Sequence, residues 1–266
     1  MMDYYKAETP EEAVGQMGQL TDEGLQAVYY AGGTEIVTNI RKGALKVDAF
    51  IDLKGIPEMH LIEVKDDKII LGANVTLNQI IEHPETAFLK PILDKIADHT
   101  VRNVLTLGGN ICGRLPYREA VLPLLALDAD IEVCAQEGVE IYKLRDLFDK
   151  RLKLPKGTFL YRIHLLKNRN TLFSRRETEH TAVDYPILHT VLYSDDKKRT
   201  VFMGISGFAA FPIYSVVDRK EETAEAVVKR MLQEVESLAK SDDRAGADYR
   251  LNLLQVHLNE WLGGKL

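Results

Sequence analysis

Two cysteines in 266 residues, Cys112 and Cys134, exclude a disulfide framework and cannot supply the four thiolates of an iron–sulfur cluster. No run approaches the ~20 apolar residues that a membrane-spanning helix needs. Met1-Met2-Asp3-Tyr4-Tyr5 has no basic region leading into an apolar one, so no secretory signal is expected. A cytoplasmic location follows as the default. Positive charge is also short: 34 Lys and Arg stand against 40 Asp and Glu, a net charge of -6. With no basic excess to release phosphate counterions, nucleic-acid binding is not expected. The basic clusters Arg175-Arg176 and Lys197-Lys198-Arg199 are too short to change that. Among the seven histidines, no pair stands at metal-ligand spacing. Neither GxGxxG nor GxxxxGK[ST] occurs, so no Rossmann or Walker nucleotide site is indicated.

What remains is an ordinary globular composition, 45% hydrophobic and 28% charged. A chain of this length buries roughly three quarters of its unfolded surface, in one large domain or two modest ones. Thr9-Pro10 with Glu11 and Glu12 predicts a helix over 11–20. Residues 25–30 read as a buried strand running into Ala31-Gly32-Gly33-Thr34. A helix over 35–42 and a strand over 50–53 complete a strand, glycine turn, helix, strand unit. Residues 68–73 read as a strand, Thr76 as the cap of a helix from Leu77, and 90–100 as a further helix. A second glycine segment, 106–111, precedes a helix over 120–129. Residues 131–134 and 139–141 alternate around Gly138 as a hairpin. Past about 165 the pattern changes to strands near 172–174, 187–193 and 200–206, then helices near 221–240 and 247–262. In the last, Leu251, Leu254, Leu258 and Trp261 share one face. A domain boundary is expected near 165–172, in Lys167-Asn168-Arg169-Asn170.

Each of two short segments sets Gly-Gly beside a threonine: Gly32-Gly33-Thr34 and Thr106-Leu107-Gly108-Gly109. Glycine allows positive φ and leaves backbone amides open to a bulky anion. Amides in such a turn, leading into a helix, suit an anion. Two turns of this kind can hold one diphosphate between them. On spacing alone, a purely structural role for both remains the alternative.

The wider pattern is more specific. Ala31-Gly32-Gly33-Thr34-Glu35, followed by Ile51-Asp52-Leu53 and Ile56-Pro57-Glu58, resembles the AGGT-acidic loop of the FAD-binding subunits of xanthine dehydrogenase and carbon monoxide dehydrogenase, the molybdenum hydroxylases. Arg102-Asn103-Val104-Leu105-Thr106-Leu107-Gly108-Gly109-Asn110 is similar to that family's RNxxTIGGN loop. Leu124–Ala129, Gly204-Ile205-Ser206-Gly207-Phe208-Ala209 and the stretch from Asp243 to Arg250 extend the likeness over essentially the whole chain.

The resemblance implies an α+β fold: a bipartite FAD-binding domain of the vanillyl-alcohol-oxidase (PCMH) type over 1–167, with subdomains of about 1–53 and 54–167. A smaller α+β domain over 168–266 would follow. It places Ala31, Gly32, Gly33, Thr34 and Glu35, with Thr106, Gly108, Gly109 and Asn110, around the FAD diphosphate. The backbone near Ile51 and Leu53 would lie toward the adenine or the flavin. The family's aspartate before the LLALDA run falls on Glu119, with Pro123 one place off. Its lysine near the flavin falls on Arg175 or Arg176. Asp184-Tyr185 fits the family's Asp-aromatic step, whereas Phe211-Pro212-Ile213-Tyr214 replaces a basic residue.

By the same resemblance FAD is non-covalent, since no histidine stands in the first glycine turn. Molybdopterin would sit on a large partner subunit and the [2Fe-2S] clusters on a small one, with NAD⁺ as a possible acceptor. No catalytic side chain and no metal ligand is expected on this chain. Cys112 reads as a small buried thiol, and Tyr29 and Tyr30 as strand core, with stacking on the flavin or adenine as the sharper alternative. A free-standing flavin oxidoreductase of the same fold and a non-enzymatic nucleotide-binding protein are the rival readings.

Overall fold

The computed structural model describes residues 2–167, 172–181, 183–195, 199–219 and 223–263. The strands are β1 (Asp3–Lys6), β2 (Ala27–Tyr30), β3 (Ala49–Asp52), β4 (Ile62–Lys65), β5 (Lys68–Gly72), β6 (Asp130–Ala135), β7 (Gly138–Lys143), β8 (Phe148–Asp149), β9 (Arg151–Leu152), β10 (Phe159–Leu166), β11 (Phe173–Thr178), β12 (Pro186–Asp195), β13 (Thr200–Ser206) and β14 (Ile213–Asp218). The helices are α1 (Pro10–Asp22), α2 (Thr34–Arg41), α3 (Leu77–Glu82), α4 (Lys90–Leu93), α5 (His99–Arg102), α6 (Leu107–Cys112), α7 (Val121–Ala126), α8 (Leu144–Leu147), α9 (Ala224–Val235) and α10 (Ala247–Gly263).

Backbone contacts divide the chain into two compact units. The first comprises 1–87, 98–113 and 129–168, and the second 88–97, 114–128 and 169–266. The sequence places 88–97 and 114–128 within a continuous 1–167 domain. In the structure they pack with the second unit, because α7 lies against β12 and β13. Of the expected boundary segment, residues 168–171 lie outside the described residues, as do Glu221-Glu222 and Lys197-Lys198.

The first unit contains a three-stranded parallel sheet, ordered β1-β3-β2, with β3 paired on both edges. It also contains a five-stranded antiparallel sheet, ordered β4-β5-β10-β6-β7. Helix α1 packs against β3 and β6, burying Ala13, Val14, Met17 and Leu20 at helical spacing. Its start is set by Thr9, whose side chain accepts from the Glu12 amide at 3.2 Å, and by Pro10 in the first turn. Thr76 and Gln79 form a reciprocal capping box at the start of α3.

In the second unit an antiparallel sheet ordered β11-β12-β13-β14 carries α9 and α10. Leu188, Leu192, Met203, Ile205, Leu254, Leu258 and Trp261 share its apolar core. Arg250 is fully buried there, donating to the Gly207 carbonyl at 2.7 Å and to the Lys240 carbonyl at 3.2 Å, and paired with Asp242. The C-terminal signature thus ties α10 to the turn after β13.

Several expectations are corrected. The helix expected over 90–100 is two short ones: Ala97 takes a φ of 52°, and Asp98 caps α5 by accepting from the Val101 amide at 2.8 Å. The helix expected over 120–129 stops at Ala126, before Asp128 at a φ of 54°. The second glycine segment is not a loop, because Gly108 and Gly109 form the first turn of α6. Strands β1, β4, β8, β9, β10 and β14 were not expected. Cys112 is exposed and only Cys134 is buried.

Candidate functional site

Strand β2 delivers Ala31 and the first glycine turn to the start of α2. Gly33 takes a φ of 71°, a left-handed conformation that disfavours any residue with a Cβ. It is the N-cap of α2, and no side chain caps that end. Among the described residues, nothing accepts from the amides of Gly32, Gly33, Thr34 and Ile36; the Gly33 carbonyl is engaged by Val37. By contrast, α1 and α9 are each capped by a threonine hydroxyl. An uncapped helix start with free amides carries partial positive charge and is a ready anion seat.

The two glycine segments meet. A Cβ on Gly32 would overlap the Val104 carbonyl oxygen and lie 3.5 Å from Cγ2 of Thr106. A bridge between Thr76 and Thr106 and the Leu107 amide on the Val75 carbonyl (2.9 Å) fix the second segment. Its amides, however, serve the chain itself. Gly108 donates to the Ala73 carbonyl at 2.8 Å, Gly109 to Oγ1 of Thr106 at 3.1 Å, and Asn110 to the Thr106 carbonyl at 3.0 Å. The expectation that both turns present open amides therefore holds for the first only. Glu35 reaches toward the end of α6, where a Cβ on Gly113 would lie 2.5 Å from Oε2 of Glu35.

Of the other expected residues, Ile51 is fully buried in the central strand, and the carbonyl of buried Leu53 accepts from Nδ2 of Asn74 at 2.8 Å. Sequence reasoning missed Asp52, Lys54 and Tyr4. Asp52 is buried at the end of β3 and accepts from the Tyr4 hydroxyl, the Lys54 amide (2.9 Å) and Nζ of Lys54 (2.7 Å). Burial opposes its ionisation, but the Lys54 and Tyr4 hydrogen bonds outweigh this and hold its carboxyl below the usual range. The Asp52 hydrogen bond pushes the Tyr4 hydroxyl up to about 12. The signal available was an acid closing an apolar strand, two places before a lysine. Tyr29 donates to the Gly157 carbonyl at 2.6 Å, and Tyr30 packs behind Gly33 and against Phe50.

Glu119, Arg175 and Arg176 belong to the second unit. Glu119 is 4% exposed, and its carboxylate accepts from Nε of Arg176 at 2.7 Å and pairs with Nδ1 of His189 at 2.6 Å. Burial works against its charge, and His189 and then Arg176 overcome it, leaving the carboxyl below its ordinary value. Strand alternation separates the two arginines. Arg176 faces Glu119, and Arg175 points to the opposite face, where it pairs with Glu177 at 2.9 Å. Glu179, His180 and Asp184 bring one ligand atom each within 4.8 Å of one another at the surface, a grouping that sequence spacing did not suggest.

For FAD, the fit rests on the first segment: an open, uncapped helix start on a left-handed glycine, braced by a second glycine segment, matches a diphosphate in charge and in backbone access. Residues 1–165 match the family described as the FAD binding domain in molybdopterin dehydrogenase. The nicotinate dehydrogenase FAD-subunit of Eubacterium barkeri is 27% identical over 211 residues, covering 77% of this chain and 66% of that protein. The putative xanthine dehydrogenase FAD-binding subunit of Escherichia coli K12 is 30% identical over 141 residues, covering 51% of this chain and 47% of that one. The matches thus span between about half and two thirds of these curated relatives. A chain of the solved quinoline 2-oxidoreductase from Pseudomonas putida 86 shares the fold, with a TM-score of 0.83 at 19% identity over 98% of this chain and 95% of that one. The fold is the α+β, PCMH-type flavin-binding architecture, and the chain belongs to the family of FAD-binding domains of molybdopterin dehydrogenases.

Proposed function

We propose that this chain is the FAD-carrying subunit of a multi-subunit molybdenum hydroxylase, placed between [2Fe-2S] clusters of a small partner subunit and an acceptor such as NAD⁺. The observation that carries the reading is the open, uncapped start of α2 braced against the second glycine segment. The amides of Gly32, Gly33, Thr34 and Ile36 would receive the diphosphate. Thr106, Gly109 and Asn110 would flank it, and the chain around Ala31, Ile51 and Leu53 would support it. Glu119 and Arg176 would act as a buried pair that shapes the second unit. Bound FAD supplies the redox chemistry, accepting and giving up electrons singly or in pairs. The protein's part is then binding, orientation and shielding, which requires no acid–base side chain.

Two cysteines cannot ligate a [2Fe-2S] cluster. Clusters and molybdopterin would therefore reside on partners, and the organic substrate would bind on the large one. The test uses the flavin-loaded chain alone and then with its partner subunits. NADH should bleach the flavin absorbance of the lone chain, which should oxidise no organic substrate; adding the partners should give substrate-dependent NADH formation. Oxidation of an organic substrate by the lone chain would favour a free-standing oxidoreductase. A chain that binds nucleotide but neither exchanges electrons nor assembles with partners would favour a non-enzymatic binding protein.

A further inference from the structure

Lys54 sits between three parts of the first glycine turn's support. Its Nζ lies 2.7 Å from Oδ1 of buried Asp52, 3.4 Å from the Ala31 carbonyl oxygen and 4.3 Å from the centre of the Tyr30 ring. Ala31 is the last residue before Gly32-Gly33, and the Tyr30 ring fills the space that a side chain on Gly33 would take. Asp52 is itself fixed, since it accepts from the Tyr4 hydroxyl and the Lys54 amide as well. The carbonyl of Lys54 is held in turn by Nε2 of His60 at 3.0 Å. A charge-assisted chain therefore runs from the end of β3, through one ammonium group, to the carbonyl and the ring that define the entry to the open amides.

We infer that Lys54 is a positioning residue for the dinucleotide's diphosphate. Clamped by Asp52, it holds Ala31 and Tyr30 so that the amides following Gly33 stand ready before the ligand arrives. The inference rests on the flavin site proposed above. A left-handed glycine turn has little of its own to keep it in one conformation, and preorganising it removes an ordering cost from binding. The ammonium is neutralised by Asp52, so its effect comes through the turn and not as an added phosphate contact.

The experiment measures FAD affinity of the flavin-stripped full chain by quenching of flavin fluorescence, for wild type, Lys54→Met and Lys54→Arg, with the melting midpoint of each apoprotein. ADP, which carries a diphosphate without a flavin, serves as a competing probe. Lys54→Met should weaken FAD about tenfold, the value of roughly one charge-assisted hydrogen bond. ADP should weaken in parallel, and Lys54→Arg should restore most of the loss. Because positioning and not charge is at issue, the salt dependence of FAD binding should be the same in wild type and in the double variant Asp52→Asn/Lys54→Met, which removes the pair together and leaves no uncompensated carboxylate. If Lys54→Met lowers the apoprotein midpoint, Lys54→Gln, which keeps a neutral donor one bond shorter, gives the same comparison in a milder form. Unchanged FAD and ADP affinity in Lys54→Met and Lys54→Gln would overturn the inference and leave the flavin site standing. A reduced salt dependence in Asp52→Asn/Lys54→Met would also overturn it, by showing a direct phosphate contact. Wild type that fails to bind FAD would overturn the site and the inference together.

Discussion

Gly32 lies so close to the carbonyl of Val104 that a single methyl group on it would occupy the same space as that oxygen. The glycines of the two segments are therefore required first by the protein's own packing. A Cβ on Gly33 would overlap the Tyr30 ring at an unfavourable φ, and one on Gly108 would lie 2.8 Å from the Ala73 Cβ. Substitutions at these positions should therefore act on the fold as well as on FAD. Gly32→Ala, Gly33→Ala and Gly108→Ala should each cost roughly 1–3 kcal/mol of stability as well as flavin occupancy. Gly15→Ala, on the exposed side of α1 with nothing within 4 Å, should instead stabilise by about 0.5–1 kcal/mol. Melting of the four apoproteins distinguishes the cases, and a Gly32→Ala protein as stable as wild type would contradict the packing described.

The two neighbouring arginines should behave very differently. Glu119→Gln leaves Arg176 and His189 without their buried anion and should cost on the order of 3 kcal/mol. Arg175→Gln removes an exposed pair and should cost less than about 1 kcal/mol. Denaturant titration of both variants checks this, and equal losses would refute the assignment of Arg176 to the interior.

Much of this was legible in the sequence. Capped helices such as α1 and α3 announce themselves through Thr9-Pro10 and Thr76, and the glycine segments through their spacing. What was hidden depends on tertiary partners. Asp52 and Lys54 read as ordinary charges at a strand end, and only the fold brings Tyr4 and Ala31 to them. Strand β10 looks unremarkable because its exposed-side residues, Arg162 and His164, are polar; they pair with buried Glu132 across the sheet, at 2.6 Å and 2.7 Å. Arg175 and Arg176 could not be told apart until strand register assigned each to a face.

Acid should destabilise the protein in a defined window. His257 is buried on α10, with Thr190 at 2.9 Å from Nδ1, and burial lowers its pKa to about 4. The unfolded value is about 6.5. The neutral ring's contribution is thus fully present above about pH 6.5 and is lost as pH falls toward 4, with a slope of up to about 1.4 kcal/mol per pH unit. His257→Gln should flatten that part of the stability profile. An unchanged profile would show that His257 does not titrate in this range.

The most direct measurement is the identity and amount of flavin that the purified chain carries. Acid precipitation should release to the supernatant close to one equivalent of FAD per chain, with no flavin left in the pellet, and the stripped chain should rebind FAD but not FMN, which lacks the diphosphate bridge to adenosine. A chain that carries no flavin and rebinds none, or that prefers FMN, would contradict a diphosphate seat at the start of α2.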